Sequence, residues 1–267
     1  MSYNCFSLDN DFVNCTVAIE SDLYKKKSEV FDLLFMNFKK DLRLPNSNCY
    51  YVKEYNPTNN CMKNNYIYIN LSERKWLYYL FIDIENIIIK HLSPQVTCIH
   101  GSGVCLDGEA IIFVGDRNIG KSTIIKKLLK ESALYSYLDD DVIMLRDGLV
   151  WGPGLPIKSR AKDSSCVMEC DDEIRYLTNY LKINNEPQNI SSIVYPTYNK
   201  IGSNIVEELS PKQSFQYLFK NIKHGEVSLS IKTAVEISMQ CRSFRLDYSN
   251  DEFLFSSVKN IFISNIK

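Results

Sequence analysis

The chain has 267 residues, of which 45% are hydrophobic and 24% are charged, and its formal net charge at pH 7 is −1. These are ordinary values for a globular protein that is long enough to bury a large core. A net charge so close to zero argues against a broad nucleic-acid-binding surface, which normally needs a basic excess.

The first residues, MSYNCFSLDNDF, carry no basic start followed by an apolar run, so no secretory signal is predicted. The nine cysteines are scattered without any Cys-x-x-Cys pair, and scattered cysteines in an intracellular protein are mostly small buried side chains. With only three histidines in the chain, a zinc site is not expected. We therefore expect a cytoplasmic protein whose cysteines are structural.

The first predicted element is a helix over residues 21–42, where apolar side chains recur at helical spacing and Ser21 or Asp22 would be the N-cap. The polar residues 56–65 predict an exposed loop. Alternating tyrosine and isoleucine in residues 66–70 then predict a strand.

A long helix is predicted over residues 72–91, with Ser72 as its cap. Its most apolar part, residues 76–92, is interrupted by Asp83 and Glu85, which makes it a poor membrane span. We expect this helix to be buried in the protein on most of its sides, and we expect no membrane partner.

The next segment predicts an antiparallel hairpin. Residues 100–106 and residues 110–114 are two short apolar strands, and the Asp107-Gly108 pair between them is a turn signal. The second strand leads directly into GDRNIGKST at residues 115–123, and an amphipathic helix with Ile124, Ile125, Leu128 and Leu129 on its buried side follows.

The pattern GxxxxGKS in residues 115–122 is that of a phosphate-binding loop. Its glycines let backbone N–H groups point at a phosphate, a lysine reaches the β- and γ-phosphates, and a serine hydroxyl helps to hold Mg²⁺. The residues predicted to bind the nucleotide are Gly115, Asp116, Arg117, Asn118, Ile119, Gly120, Lys121, Ser122 and Thr123.

A strand over residues 135–145 carries three consecutive aspartates, Asp139, Asp140 and Asp141. Clustered carboxylates repel one another unless a cation or a proton is shared among them. If the strand is extended here, Asp139 and Asp141 point to one side and Asp140 to the other. One carboxylate could then bind a metal while another accepts a proton from an incoming hydroxyl.

The remaining chain alternates between helical and extended patterns, which indicates an α/β core. Helices are predicted near residues 170–183, 211–223 and 228–240, a strand near residues 243–248, and a last helix from Asp251 onward.

Taken together, HGSGV, GDRNIGKS and YLDDDV resemble the HPr kinase/phosphorylase superfamily, and most of all its short HPr-kinase-like kinases. The resemblance covers about residues 99–145. It does not extend to the family's second glycine-rich signature, which is tied to phosphorolysis and to HPr. It implies an α/β, P-loop kinase core of the HPr kinase and phosphoenolpyruvate carboxykinase type over residues 95–267, with an antiparallel hairpin before the P-loop. Residues 1–94 would be a variable α+β region that recognises the substrate.

The resemblance also implies roles for individual residues. Asp140 would be the base that takes the proton of the acceptor, Asp141 would bind Mg²⁺ together with Ser122, and His100 would lie near the phosphates. Lys158 and Arg160 would contact the transferred phosphate. The donor would be ATP with Mg²⁺.

Three functions stay open. The first is an ATP-dependent kinase for a serine hydroxyl of a peptide or small protein, such as a ribosomally made precursor peptide of the kind that lasso-peptide kinases modify. The second is a kinase for a small molecule such as free serine, and the third is a nucleotide-binding regulatory protein without transfer. The resemblance leaves open which aspartate is the base. It also leaves open whether the chain forms a homo-oligomer, as true HPr kinases do.

Overall fold

The computed structural model is a mixed α/β protein with two compact units. One includes residues 1–93, and the other includes residues 94–157 and 179–267. The structure describes residues 2–36, 38–41, 48–55, 65–72, 76–157, 182–184, 186–202 and 204–263.

The first unit is built around a mixed sheet of five described strands in the order β3-β1-β2-β4-β5. β1 is antiparallel to β2 and β3, whereas β2, β4 and β5 are parallel to one another. The strands are β1 (Tyr3–Asp9), β2 (Asn14–Glu20), β3 (Lys39–Asp41), β4 (Cys49–Glu54) and β5 (Tyr66–Ile69), and the helices are α1 (Ser21–Lys26), α2 (Ser28–Leu34) and α3 (Trp76–Lys90).

The predicted helix over residues 21–42 is wrong in its second half. Helical structure ends at Leu34, and Lys39–Asp41 instead pair with β1 as a strand. The N-cap of α1 is Glu20, which makes no side-chain capping bond, so neither predicted cap is correct. The strand predicted at residues 66–70 is confirmed as β5.

The long helix predicted over residues 72–91 is confirmed from Trp76 to Lys90, and Ser72 lies in a turn before it. Its most deeply buried side chains, Leu80, Phe81, Ile84 and Ile88, recur at helical spacing. Residues 73–75 and most of the predicted loop over residues 56–65 lie outside the described residues. Within the described part of the chain, no helix is long and apolar enough to cross a membrane.

The second unit contains a larger sheet of ten described strands. The order is β14-β6-β10-β11-β12-β8-β7-β9, and β15 pairs with both β12 and β13. Its strands are β6 (Thr97–Ile99), β7 (Gly101–Leu106), β8 (Glu109–Val114), β9 (Ser136–Asp140), β10 (Ile143–Arg146), β11 (Leu149–Trp151), β12 (Gln188–Tyr198), β13 (Ile205–Glu208), β14 (Ile222–His224) and β15 (Arg242–Tyr248), and its helices are α4 (Lys121–Glu131), α5 (Pro211–Lys220), α6 (Val227–Gln240) and α7 (Asp251–Ile263).

Three strands of this sheet, β8, β12 and β15, run parallel to one another. Their carboxyl ends therefore meet at one edge of the sheet, where β8 enters the glycine loop. A buried apolar cluster formed by residues of β8 and β12 with residues of α5 and α6 supports this part of the sheet. It includes Ile112, Val114, Ile193, Tyr195, Leu218 and Ala234.

The predicted hairpin is confirmed. β7 and β8 are antiparallel, with Leu106 opposite Glu109. Asp107 and Gly108 both have positive φ, at 51° and 84°, which is the backbone that a tight two-residue hairpin turn requires.

The strand predicted over residues 135–145 is not one element. β9 ends at Asp140 and pairs with β7, whereas β10 begins at Ile143 and pairs with β6 and β11. Asp141, between them, has a φ of 85°, so the strand alternation predicted for the three aspartates does not extend to it.

The C-terminal predictions are largely confirmed. The helices begin at Pro211 and Val227, and Ser210 caps the first of them in a reciprocal pair with Gln213. The strand near residues 243–248 is β15, and the last helix begins at Asp251. Most of the helix predicted near residues 170–183 lies outside the described residues.

Candidate active site

The glycine loop connects β8 to α4 in the predicted order of strand, loop and helix. Gly115 has a φ of 153° and Gly120 a φ of 99°, and Asn118 between them also has a positive φ of 70°. A Cβ placed on Gly115 would lie 2.3 Å from the Cδ1 of Ile119. The end of the Ile119 side chain could move aside, so it is the positive φ of Gly115 that disfavours any other residue there.

Lys121 begins α4 and is buried against this loop. Its ammonium donates hydrogen bonds to the carbonyl oxygens of Gly115, at 2.9 Å, and Asp116, at 3.0 Å. The positive charge is thus held at the loop by carbonyl dipoles. A bound phosphate would offer the same ammonium a stronger, charged acceptor.

Asp140 joins the loop helix to the sheet. It is 2% exposed, and it lies opposite Ser102 in the pairing of β9 with β7. Its Oδ1 accepts hydrogen bonds from the Oγ of Ser102, at 2.5 Å, and the Oγ of Ser122, at 3.0 Å. One carboxylate therefore contacts both the first turn of α4 and the first strand of the hairpin.

Asp141 faces a different partner. Its Oδ1 lies 3.0 Å from the Nε2 of His100, and the two side chains are 20% and 12% exposed. Its own N–H donates to the carbonyl of Gly101, at 2.8 Å, and Lys223 donates to its carbonyl oxygen, at 2.9 Å. These contacts fix the backbone in its left-handed conformation and leave the carboxylate beside a histidine, partly open to solvent.

Asp139 is fully buried and holds backbone groups. Its Oδ1 accepts from the N–H of Val142, at 3.3 Å, and its Oδ2 from the N–H of Leu155, at 3.0 Å. Residues 152–157, the segment that contains Leu155, are all buried. The three consecutive aspartates therefore have three different sets of partners, and that of Asp139 is structural.

The structure brings together Lys121, Ser122 and Asp140. Ser122 contacts Asp140, whereas Asp141, the next residue in the chain, which was predicted to bind Mg²⁺ together with Ser122, contacts His100. Ser102 was not predicted as a site residue, because only the pairing of β7 with β9 brings it to Asp140. The side chains of Asp116, Arg117, Asn118 and Thr123 are exposed along the loop and the first turn of α4. Lys158 and Arg160 lie outside the described residues.

The oxygen ligands at this site fit Mg²⁺. In the described part of the chain, no group of three or more His, Cys, Asp and Glu side chains is arranged to hold a metal ion. Mg²⁺ usually takes only one or two carboxylates and completes its coordination with water and phosphate oxygens. The carboxylate of Asp140 and the hydroxyl of Ser122 form a set of this kind.

Comparison with known proteins does not show the family of this chain. No protein-family model matches the sequence, and no curated protein matches it. A structural match is the HPr(Ser) kinase/phosphatase from Coxiella burnetii, which has 9% sequence identity and a TM-score of 0.32. The match covers 63% of this chain and 95% of that chain. A likeness as distant as this carries no argument about activity, so the proposal below depends on the motif and on the contacts of the site.

Proposed function

We propose that this chain is an ATP- and Mg²⁺-dependent phosphotransferase that phosphorylates a serine hydroxyl of a peptide or small protein. The observation that carries the proposal is the carboxylate of Asp140, hydrogen-bonded to Ser122 next to Lys121, with the pair of Asp141 and His100 directly after it. Phosphoryl transfer needs positioning, charge neutralisation and a group that orients or deprotonates the nucleophile. Each of these has a candidate residue here.

The donor would bind through its phosphates. The loop of residues 115–120 would offer backbone N–H groups, and Lys121 would exchange its two carbonyl partners for phosphate oxygens. Asp140 and Ser122 would hold Mg²⁺, which when bound neutralises the negative charge of the phosphates. Ser102 would keep the carboxylate of Asp140 directed toward Ser122 through its hydrogen bond.

Asp141 is our candidate for the base. As the hydroxyl oxygen of the acceptor bonds to the γ-phosphorus, its proton passes to the carboxylate of Asp141. The bond from that phosphorus to the bridging oxygen breaks, and ADP leaves with the electron pair. His100, 3.0 Å from the Oδ1 of Asp141, would orient the carboxylate. This reverses the roles that the resemblance implies for Asp140 and Asp141, because the carboxylate that contacts Ser122 is that of Asp140.

Two alternatives share the same loop. A kinase for free serine or another small alcohol would use the same residues and differ only in its acceptor. A regulatory nucleotide-binding protein needs no base, so the second carboxylate beside a histidine favours transfer over binding alone. Recognition of the acceptor by residues 1–94 and a homo-oligomeric state stay predictions.

The test is phosphate transfer by the full chain from γ-labelled ATP, with serine peptides, free serine or no acceptor. Asp141→Asn should lower kcat by roughly 10²–10⁴-fold, the usual effect of losing a general base, and should leave ATP binding nearly unchanged. Asp140→Asn should raise the Mg²⁺ concentration needed for half-maximal rate by roughly tenfold or more. Lys121→Ala should weaken ATP binding and transfer together.

Asp107→Asn is the matched control, because Asp107 is an exposed carboxylate in the hairpin turn, and it should behave as the parent chain does. An Asp141→Asn variant within about tenfold of the parent rate would reject Asp141 as the base. ATP binding without transfer to any acceptor would favour the regulatory alternative. Normal activity of Lys121→Ala would reject the role assigned to the loop.

A further inference from the structure

Two tyrosines pack against each other at the carboxyl edge of the parallel strands. Tyr198 ends β12 and Tyr248 ends β15, and the two residues are register partners. Their ring centroids are 5.3 Å apart, with 57° between the ring planes. Tyr248 is 2% exposed, whereas Tyr198 is 52% exposed. The ring of Tyr198 is therefore supported from within the protein and open to solvent.

This tyrosine pair lies next to the glycine loop. The hydroxyl of Tyr248 is 3.5 Å from the position that a Cβ on Gly120 would take, and Gly120 directly precedes Lys121. Because β12 is parallel to β8, Tyr198 also lies at the same edge of the sheet as Val114, the last residue before the loop. Burial raises the pKa of Tyr248 to about 12, so its hydroxyl stays protonated at neutral pH.

The strand order gives the loop two different sides. Ser102 and Asp140, on β7 and β9, lie to one side of β8, whereas β12 and β15 lie to its other side. A triphosphate whose terminal phosphate faces Asp140 would direct its nucleoside away from β9, toward the ends of β12 and β15. The exposed ring of Tyr198 lies at the ends of these two strands.

We propose that the exposed ring of Tyr198 is the stacking surface for the base of the nucleotide whose phosphates bind at residues 115–120. This inference rests on the proposed function. Every base has a π-face, so stacking on one aromatic ring tolerates different bases. The site would then accept triphosphates with different bases, and Tyr248 would support the ring and link it to Gly120.

The experiment compares two ligands that differ only in whether they carry a nucleoside. Isothermal titration calorimetry with the full chain in Mg²⁺ would measure the Kd of ATP and of inorganic tripolyphosphate. Tyr198→Ala should weaken ATP binding by roughly 5- to 150-fold, the range for loss of one stacked base, and leave tripolyphosphate binding unchanged. Tyr198→Phe keeps the ring and should bind ATP as the parent does.

Two controls separate this inference from the proposed function. Tyr217→Ala removes a half-exposed tyrosine of α5 and should change neither Kd. Lys121→Ala should weaken both ligands, because it removes a phosphate contact.

The inference is overturned if Tyr198→Ala binds ATP as the parent does, or if it weakens ATP and tripolyphosphate equally. In both cases the phosphate-binding role stands as long as Lys121→Ala weakens both ligands. If the parent chain binds neither ligand, the inference and the proposed function fall together.

Discussion

Replacing Asp139 by asparagine tests whether the first carboxylate of the triplet is a structural anchor. Asparagine keeps the size of the side chain but has only one oxygen acceptor. Asp139 now accepts from two backbone donors, the N–H of Val142 and the N–H of Leu155. In the variant, the NH₂ group would face one of these donors, so one hydrogen bond would be lost inside the protein.

The expected cost follows from burial. Asp139 is fully buried, and a hydrogen bond to a charged acceptor contributes about 1.5–3 kcal/mol, while a buried donor left without an acceptor costs about 1–3 kcal/mol. Both figures describe the same lost contact and are not added, so we expect Asp139→Asn to lower the free energy of unfolding by about 1.5–3 kcal/mol. For a protein of this size the Tm should fall by roughly 3–12 °C. Asp139→Ala should be less stable still, because both donors would lose their acceptor.

Urea denaturation followed by tryptophan fluorescence measures this change in the second unit. The chain has two tryptophans, so a Trp76→Phe background leaves Trp151 as the reporter, and Trp151 is buried on β11. Asp147→Asn is the control. Asp147 is exposed in a turn at a φ of 51°, which asparagine also adopts, so its effect should stay within about 0.5 kcal/mol. If Asp139→Asn is as stable as this control, Asp139 is not the anchor described above.

Three further changes test other parts of the fold. Burial lowers the pKa of His91 from its ordinary value of 6.5. The neutral imidazole of His91 therefore stabilises the folded state fully above pH 6.5, and this contribution is lost as pH falls through the lower pKa of the folded state. In His91→Gln the urea midpoint should therefore fall less between about pH 7 and pH 5 than it does in the parent chain. Burial raises the pKa of Cys105 to about 11, so its alkylation at pH 8 should proceed only as fast as the protein opens. Because the chain has nine cysteines, the labelled residue is identified by peptide mass mapping, and rapid labelling of Cys105 itself would contradict its burial. In Gly152→Ala the new Cβ would lie 2.5 Å from the Cβ of Asp139 and 2.8 Å from the carbonyl oxygen of Leu138. This crowding should lower the free energy of unfolding, measured by urea denaturation, by about 1–3 kcal/mol. An unchanged urea midpoint would show that residues 152–157 adjust to the extra methyl group without strain.

The sequence predicts well those parts of the site that depend on residues close to one another in the chain. The Asp107-Gly108 turn, the glycines of the loop and the apolar stripe of α4 each act within a few residues. The strand, turn, strand, loop and helix around Lys121 could therefore be read in order from the chain.

Contacts that depend on strand pairing could not be predicted. Ser102 reaches Asp140 only because β7 lies beside β9, and no local pattern states that pairing. β12 was not predicted. Proline is unusual in a central strand, yet Pro196 lies within β12, in register opposite Leu246. Lys39 and Lys40 continue a helical pattern in the sequence, but pairing with β1 decides their structure.

The left-handed backbone of Asp141 restricts what can replace it. Side chains branched at Cβ are strongly disfavoured at a φ of 85°, whereas asparagine adopts this region at least as readily as aspartate. A single base change in the codon would thus replace the carboxylate of Asp141 by the amide of asparagine without changing the backbone conformation. On the proposed mechanism, a descendant carrying that change would still bind the triphosphate but would transfer its γ-phosphoryl group very slowly, and so one mutational step separates a catalyst from a sensor.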